Sequence, residues 1–184
     1  MQKRRTEAIS VLSNYIERNG IQVIGERPAL IEKSHIITGQ LVGNTLKFLD
    51  VNGKDIIGLQ SFSEDRLPAN KHFVVSAIKL EYAEATKDSN SIATANYSAS
   101  VPAIVRNGQF KLSQDGRGYQ IDVLNDVLVS DNTHASNDDR FYGLELMEVL
   151  QAETKIEAEL TTPASLPDTK DHYIKITFKG YTPR

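Results

Sequence analysis

The four histidines, His35, His72, His134 and His172, are the side chains best suited to proton or metal chemistry in this sequence. An imidazole can take a proton from a serine or threonine hydroxyl, or hold a metal through a ring nitrogen. Neither use has its usual surroundings here. There is no G-x-S-x-G or other nucleophile motif, and the histidines show no H-x-H, H-E-x-x-H or H-x₃-H spacing. His35, His72 and His172 each precede an apolar, strand-like run, which makes them polar residues at strand entrances. Cysteine is absent, so disulfides, thiolate metal sites and cysteine nucleophiles are excluded while the redox compartment stays open.

The acidic segment "SDNTHASNDDR" gathers Asp131, Asn132, His134, Asn137, Asp138 and Asp139, whose oxygens could surround a hard cation such as Ca²⁺. The pattern departs from the calcium-loop signature D-x-[DN]-x-[DN]-G, so the expectation is an exposed, solvated loop surface with no metal and no cofactor. Glycoside hydrolysis needs two carboxylates at a defined separation, and nothing among the 24 acidic residues selects a pair. A carbohydrate platform would use flat aromatics, yet tryptophan is missing and aromatics total 7%. Tyr97, Tyr119, Tyr142 and Tyr181 are the tyrosines available for exposure. The chain is expected not to be an enzyme and to have no small-molecule substrate.

These residues must be positioned by β-structure. Residues Thr6 to Arg18 repeat Ile9, Leu12, Tyr15 and Ile16 at helical spacing before Asn19-Gly20, which predicts one short amphipathic helix. After it the pattern is extended throughout. "IQVIG" and "HIITGQL" are strand candidates, with "ERPALIEKS" irregular between them. Asn52-Gly53 and Asn107-Gly108 predict hairpin turns inside "TLKFLDVNGKDIIGLQSF" and "PAIVRNGQFKLSQ", and Asp115-Gly116 predicts a third before "YQIDVL". "HFVVSAIKLEYAEA" is the longest strand, placed mid-sheet, with Val74, Ile78, Leu80 and Tyr82 on one face. "FYGLELM", "AETKIEAEL" and "YIKITFKGY" follow. In the last, Ile174, Ile176 and Phe178 alternate with Lys175, Thr177 and Lys179. A helix over "AETKIEAEL" would also bring Ile156 and Leu160 together. The polar stretch "ATKDSNSIATAN", like "SDNTHASNDDR", is a surface loop.

A chain of 184 residues with 40% hydrophobic and 24% charged residues supports one domain, and its net charge of −3 argues against a general nucleic-acid binder. No apolar run approaches the ~20 residues of a membrane span, and the start has no signal-peptide core, so use without a cleaved leader is expected. The fold class expected is all-β: an antiparallel β-sandwich, a single jelly roll over residues 21–184, preceded by a helical arm over residues 1–20. Lys3, Arg4 and Arg5 oppose the dipole at the amino end of that helix. Either they are a solvated end of a helix packed under the domain, or they contact another subunit, lipid head groups or the genome.

Several longer stretches carry a family likeness. "RLPANKHFVVSAIKLEYAEA", "VRNGQFKLSQDGRGYQIDVL" and the closing "YGLELMEVLQAETKIEAELTTPASLPDTKDHYIKITFKGYTPR" resemble jelly-roll capsid proteins of tailless icosahedral bacteriophages in the cadence of strands and loops. The resemblance runs from about Ile56 to Arg184. It implies a viral structural protein: a major coat, penton or minor capsid component, assembling as a homo-oligomer or with other capsid proteins. Made in the host cytoplasm, it would reside in the virion, its arm touching an internal membrane or the genome. The alternative is a β-sandwich receptor- or carbohydrate-binding module.

Overall fold

The closing alternation of isoleucine and lysine lies in a 14-residue strand, Lys170–Pro183, with a hydrogen-bonded neighbour on each side. In the computed structural model, which describes residues 2–19, 29–49, 57–62, 64–89, 91–114, 118–130 and 140–184, it is the last of eight strands. These are β1 (Leu30–Gln40), β2 (Thr45–Lys47), β3 (Phe73–Thr86), β4 (Gln109–Gln114), β5 (Tyr119–Leu124), β6 (Tyr142–Leu150), β7 (Ile156–Thr161) and β8 (Lys170–Pro183). Helix α1 (Gln2–Arg18) precedes them, and the single turn α2 (Ala103–Arg106) leads into β4.

The strands form two antiparallel sheets in the orders β1-β8-β3-β6 and β2-β7-β4-β5. Pairing follows one rule: first with last, second with seventh, third with sixth, fourth with fifth. That is a long double ribbon folded over on itself, and the contacts β8·β3 and β7·β4 close the wrap. Eight strands wired this way are a jelly roll. The expected all-β sandwich with a leading helix is therefore present.

Both sheets turn their apolar faces to one core. Ile37, Phe73, Ile78, Leu80, Ile174, Ile176 and Phe178 from the first sheet meet Leu46, Phe110, Leu112, Ile121, Ile156, Ala158 and Leu160 from the second. A second cluster lies on the outer face of the first sheet, where Ala8, Leu12 and Ile16 of α1 pack on Leu30, Val74, Met147, Val149 and Tyr181. The helical spacing that predicted α1 is thus the spacing of its buried stripe. The helix is fixed along its length, with the Tyr15 hydroxyl donating to Gln151 Oε1 at 2.8 Å.

Several local expectations need correction. β1 begins at Leu30, so "LIEKS" is strand where irregular chain was expected. "IQVIG" and the Asn52-Gly53 turn lie outside the described residues, but β2 pairs with β7 and not with the run after that turn. Asn107-Gly108 is no hairpin. Pro102 starts the α2 turn, and Gly108 follows it where a Cβ would strike the carbonyl of Thr161. Asp115-Gly116 also lies outside the described residues, yet β4 and β5 do pair as the expected hairpin. β7 is a strand with Ile156, Ala158 and Leu160 inward, which removes the helical alternative. In β3 the register shifts between Val75 and Ala77, so Val74 faces α1 while Ile78, Leu80 and Tyr82 face the main core. One bulge residue, Ser76, reverses the alternation on which the single-face expectation rested.

Candidate functional site

The basic end of α1 is tied to the sheet at both of its edges. Arg5 Nη2 donates to the Leu30 carbonyl at 2.8 Å, at the start of edge strand β1. The Arg4 guanidinium lies over Gly143 of the opposite edge strand, β6, in space that a side chain at that position would fill. Both arginines remain exposed as residues, and it is their guanidinium groups that brace the helix against the sheet edges. Lys3 lies in the same helix, and its side chain is outside the described residues. Among the described residues no helix is long and apolar enough to cross a membrane.

The histidines are placed apart. His35 sits in the middle of β1 and not at its entrance, 2% exposed, stacked on Phe62 at 4.8 Å and edge-on to Phe73 at 4.6 Å. Ser61 explains the position. Its backbone N–H donates to the Ile36 carbonyl at 2.8 Å, and its hydroxyl accepts from the Ile36 N–H at 3.0 Å, so this segment folds over the edge of β1 and seals the ring. Burial, with help from the Lys33 charge, holds the His35 pKa down to about 4. Its Nδ1 has no hydrogen-bond partner among the described residues.

His72 stands directly before β3, as expected of a strand entrance, and its Nδ1 accepts from the Ala152 N–H at 3.2 Å. His172, near the start of β8, is fully engaged. Its Nε2 lies 3.0 Å from the Pro167 carbonyl, which can only accept, so Nε2 carries the proton. Nδ1 then accepts the Tyr82 hydroxyl at 2.7 Å. Burial, and next the Glu84 charge, push the Tyr82 pKa up to about 12, so this phenol is a hydrogen-bond donor and not a base. Next to it, Asp171 Oδ1 accepts from Gln40 Nε2 at 3.0 Å and Oδ2 from the Tyr173 hydroxyl at 3.2 Å. These polar groups lock the start of β8 to β1 and β3.

Asp131, Asn132, His134, Asn137, Asp138 and Asp139 lie outside the described residues. Among the described residues, no three His, Asp or Glu side chains are grouped to hold a metal. Of the tyrosines available for exposure, Tyr119 is 62% exposed, Tyr97 and Tyr142 are half-buried, and Tyr181 is buried beneath α1. Sequence patterns carry no sign of the side-chain bonds that tie β4 and β5 to β6 and to the residue just after it. The Gln114 side chain both donates to the Gln151 carbonyl and accepts the Gln151 N–H, at 3.0 and 2.8 Å, and Gln120 Nε2 donates to the Val149 carbonyl at 3.2 Å. Elsewhere in β5 and β6, Leu124 and Leu146 are 60% and 78% exposed. Their strand periodicity would have marked them only as ordinary strand residues.

No protein family model, no curated protein and no solved structure matches this chain.

Proposed function

We propose that this chain is a structural protein of a virion: a jelly-roll capsid component, in a major coat, penton or minor role, assembling with copies of itself or with other capsid proteins. The observation that carries the reading is the complete eight-strand wrap, an architecture that virus shells use widely. A shell subunit needs a rigid body, exposed strand edges and faces that meet copies of themselves. The first sheet, covered by the second sheet on one face and by α1 on part of the other, supplies the rigid body. The exposed Leu124 of β5, Leu146 of β6 and the exposed Arg4 and Arg5 supply contact chemistry. Such a role calls for no catalysis and no cofactor. Synthesis in the host cytoplasm, residence in the virion, and contact of the helix end with an internal membrane or the genome belong to the same proposal.

The test is the particle mass of the purified protein by light scattering across protein and salt concentration, with electron microscopy of large species. Closed rings or shells are the expected result. A protein that stays monomeric throughout, and is also absent from purified virions probed with an antibody against it, overturns the reading.

A further inference from the structure

The outer face of the second sheet is laid out in rows that run across its strands. The register lines up Thr45, Thr161, Gln109 and Leu124 in one row and Lys47, Glu159, Lys111 and Asp122 in the next, with Glu157, Ser113 and Tyr119 in a third. None of these residues is buried, and Leu124 and Tyr119 on the β5 side are 60% and 62% exposed, so the subunit leaves this face open. The middle row carries charges of alternating sign: plus, minus, plus, minus. Yet among the described residues none of its charges closes an ion pair within the subunit. Lys111 lies over the Tyr119 ring, 4.8 Å from its centre, and Asp122 accepts from the Gln109 amide.

We infer that this face binds a second copy of the chain about a two-fold axis parallel to the strands, passing between β7 and β4. A two-fold contact sets a surface against its own reverse, residue i on j and j on i. Turned about that axis, the order plus, minus, plus, minus meets minus, plus, minus, plus. Lys47 then faces the partner's Asp122, Glu159 faces the partner's Lys111, and each pair occurs twice. The same turn lays Leu124 on the partner's Thr45 and Gln109 on the partner's Thr161, which covers the exposed leucine with a neutral row. An axis along the rows would set each charge on its own copy, and that repulsion excludes it. At about 4.8 Å between strands and about 3.3 Å per residue the patch spans only about 14 by 13 Å, so the contact belongs with weak, salt-sensitive interfaces and not with permanent dimers. It specifies one contact of the self-assembly proposed above and rests on that reading's premise that copies of this chain meet.

The test is sedimentation equilibrium of the full chain, up to millimolar protein, in low and high salt. A monomer–dimer equilibrium weakened by salt is expected. Lys111→Glu and Glu159→Lys should each weaken the dimer about tenfold or more, because either reversal sets two like-charge pairs in the contact, while an unchanged melting temperature shows that the variants are folded. An equimolar mixture of the two single variants should form heterodimers, since each supplies the charge that the other lacks. The double variant Lys111→Glu/Glu159→Lys should dimerise like the wild type. It keeps opposite charges across the axis while placing like charges side by side within the sheet, so a role for the row inside the subunit alone predicts no such recovery. If the wild type forms larger species, the same comparison is read from the concentration at which they appear. A monomer at every concentration, single variants that associate like the wild type, or a double variant no better than the singles overturns this contact. Any of these in a chain found in purified virions leaves the capsid reading standing, whereas a dimer that obeys the charge pattern in a chain absent from virions keeps the contact and overturns that reading.

Discussion

The two sheets use the same strand chemistry in different surroundings. Strands β1, β8, β3 and β6 run 11, 14, 14 and 9 residues and are covered by the second sheet on one side and by α1 on part of the other. Strands β2, β7, β4 and β5 run 3, 6, 6 and 6 residues, and their outer face is open. On that face the register sets Lys47 opposite Glu159, Glu159 opposite Lys111, and Lys111 opposite Asp122, one row of alternating charge across the whole sheet. The first sheet is stabilised by burial on one face and on part of the other, the second by burial on one, with charges of opposite sign facing each other across the strands of its outer face. Stability should therefore be concentrated in the first sheet, and each substitution below sharpens or breaks that contrast.

Phe178→Ala, at the centre of the first sheet's inner face, should lower unfolding free energy by about 4 kcal/mol in urea titration. A loss below 1 kcal/mol would refute a shared core there. Leu12→Ala, fully buried under α1, should cost about 3 kcal/mol in the same cooperative transition. A separate low-temperature transition for the helix, with the main midpoint unchanged, would make α1 an independent arm and leave the first sheet covered on one side only.

The third effect depends on pH. The folded-state pKa of His35 is held at about 4, below its ordinary 6.5, so its contribution is complete above pH 6.5 and is lost progressively as pH falls toward 4. The loss over that window should be about 2 to 3 kcal/mol, because the unfolded state takes up the proton that the buried ring refuses. His35→Phe should flatten this part of the profile. An unaltered slope in the variant would assign acid sensitivity to other groups. The smallest effect belongs to the open face, where Lys111→Ala should change stability by less than about 1 kcal/mol. A larger loss would mean that the row of charges acts as a coupled network.

The contrast also explains what could be seen in the sequence. Where one face is wet, as in β7, the alternation of Glu157 and Glu159 with Ile156, Ala158 and Leu160 favours a strand, although the helical spacing of Ile156 and Leu160 leaves a helix open until the pairing with β4 is seen. In β8 the alternation of isoleucine and lysine told the same story, because the lysines are exposed enough to pair outward, Lys179 with Glu32 at 3.1 Å. β3 was found as a long central strand, but the bulge at Ser76 carries no sequence mark and inverted the side assigned to Val74. Asn107-Gly108 misled because a dipeptide suited to a hairpin turn also suits the end of a helical turn, and Pro102 decided between them. The buried position of His35 depends on Ser61, 25 residues beyond Ile36, arriving over the edge of β1. Such long-range arrivals have no local periodicity to reveal them.

One consequence of the wrap concerns synthesis. β1 and β3 are not neighbours; the strand between them is β8, made after all the others. Until it emerges from the ribosome, the first sheet lacks the partner common to both: β1 has no neighbour in the sheet, and β3 has only β6. Pairings over such separations make folding slow and leave unfinished chains open to aggregation. A nascent chain halted before Lys170 should therefore remain bound to chaperones, and release of folded protein should be timed by the appearance of β8.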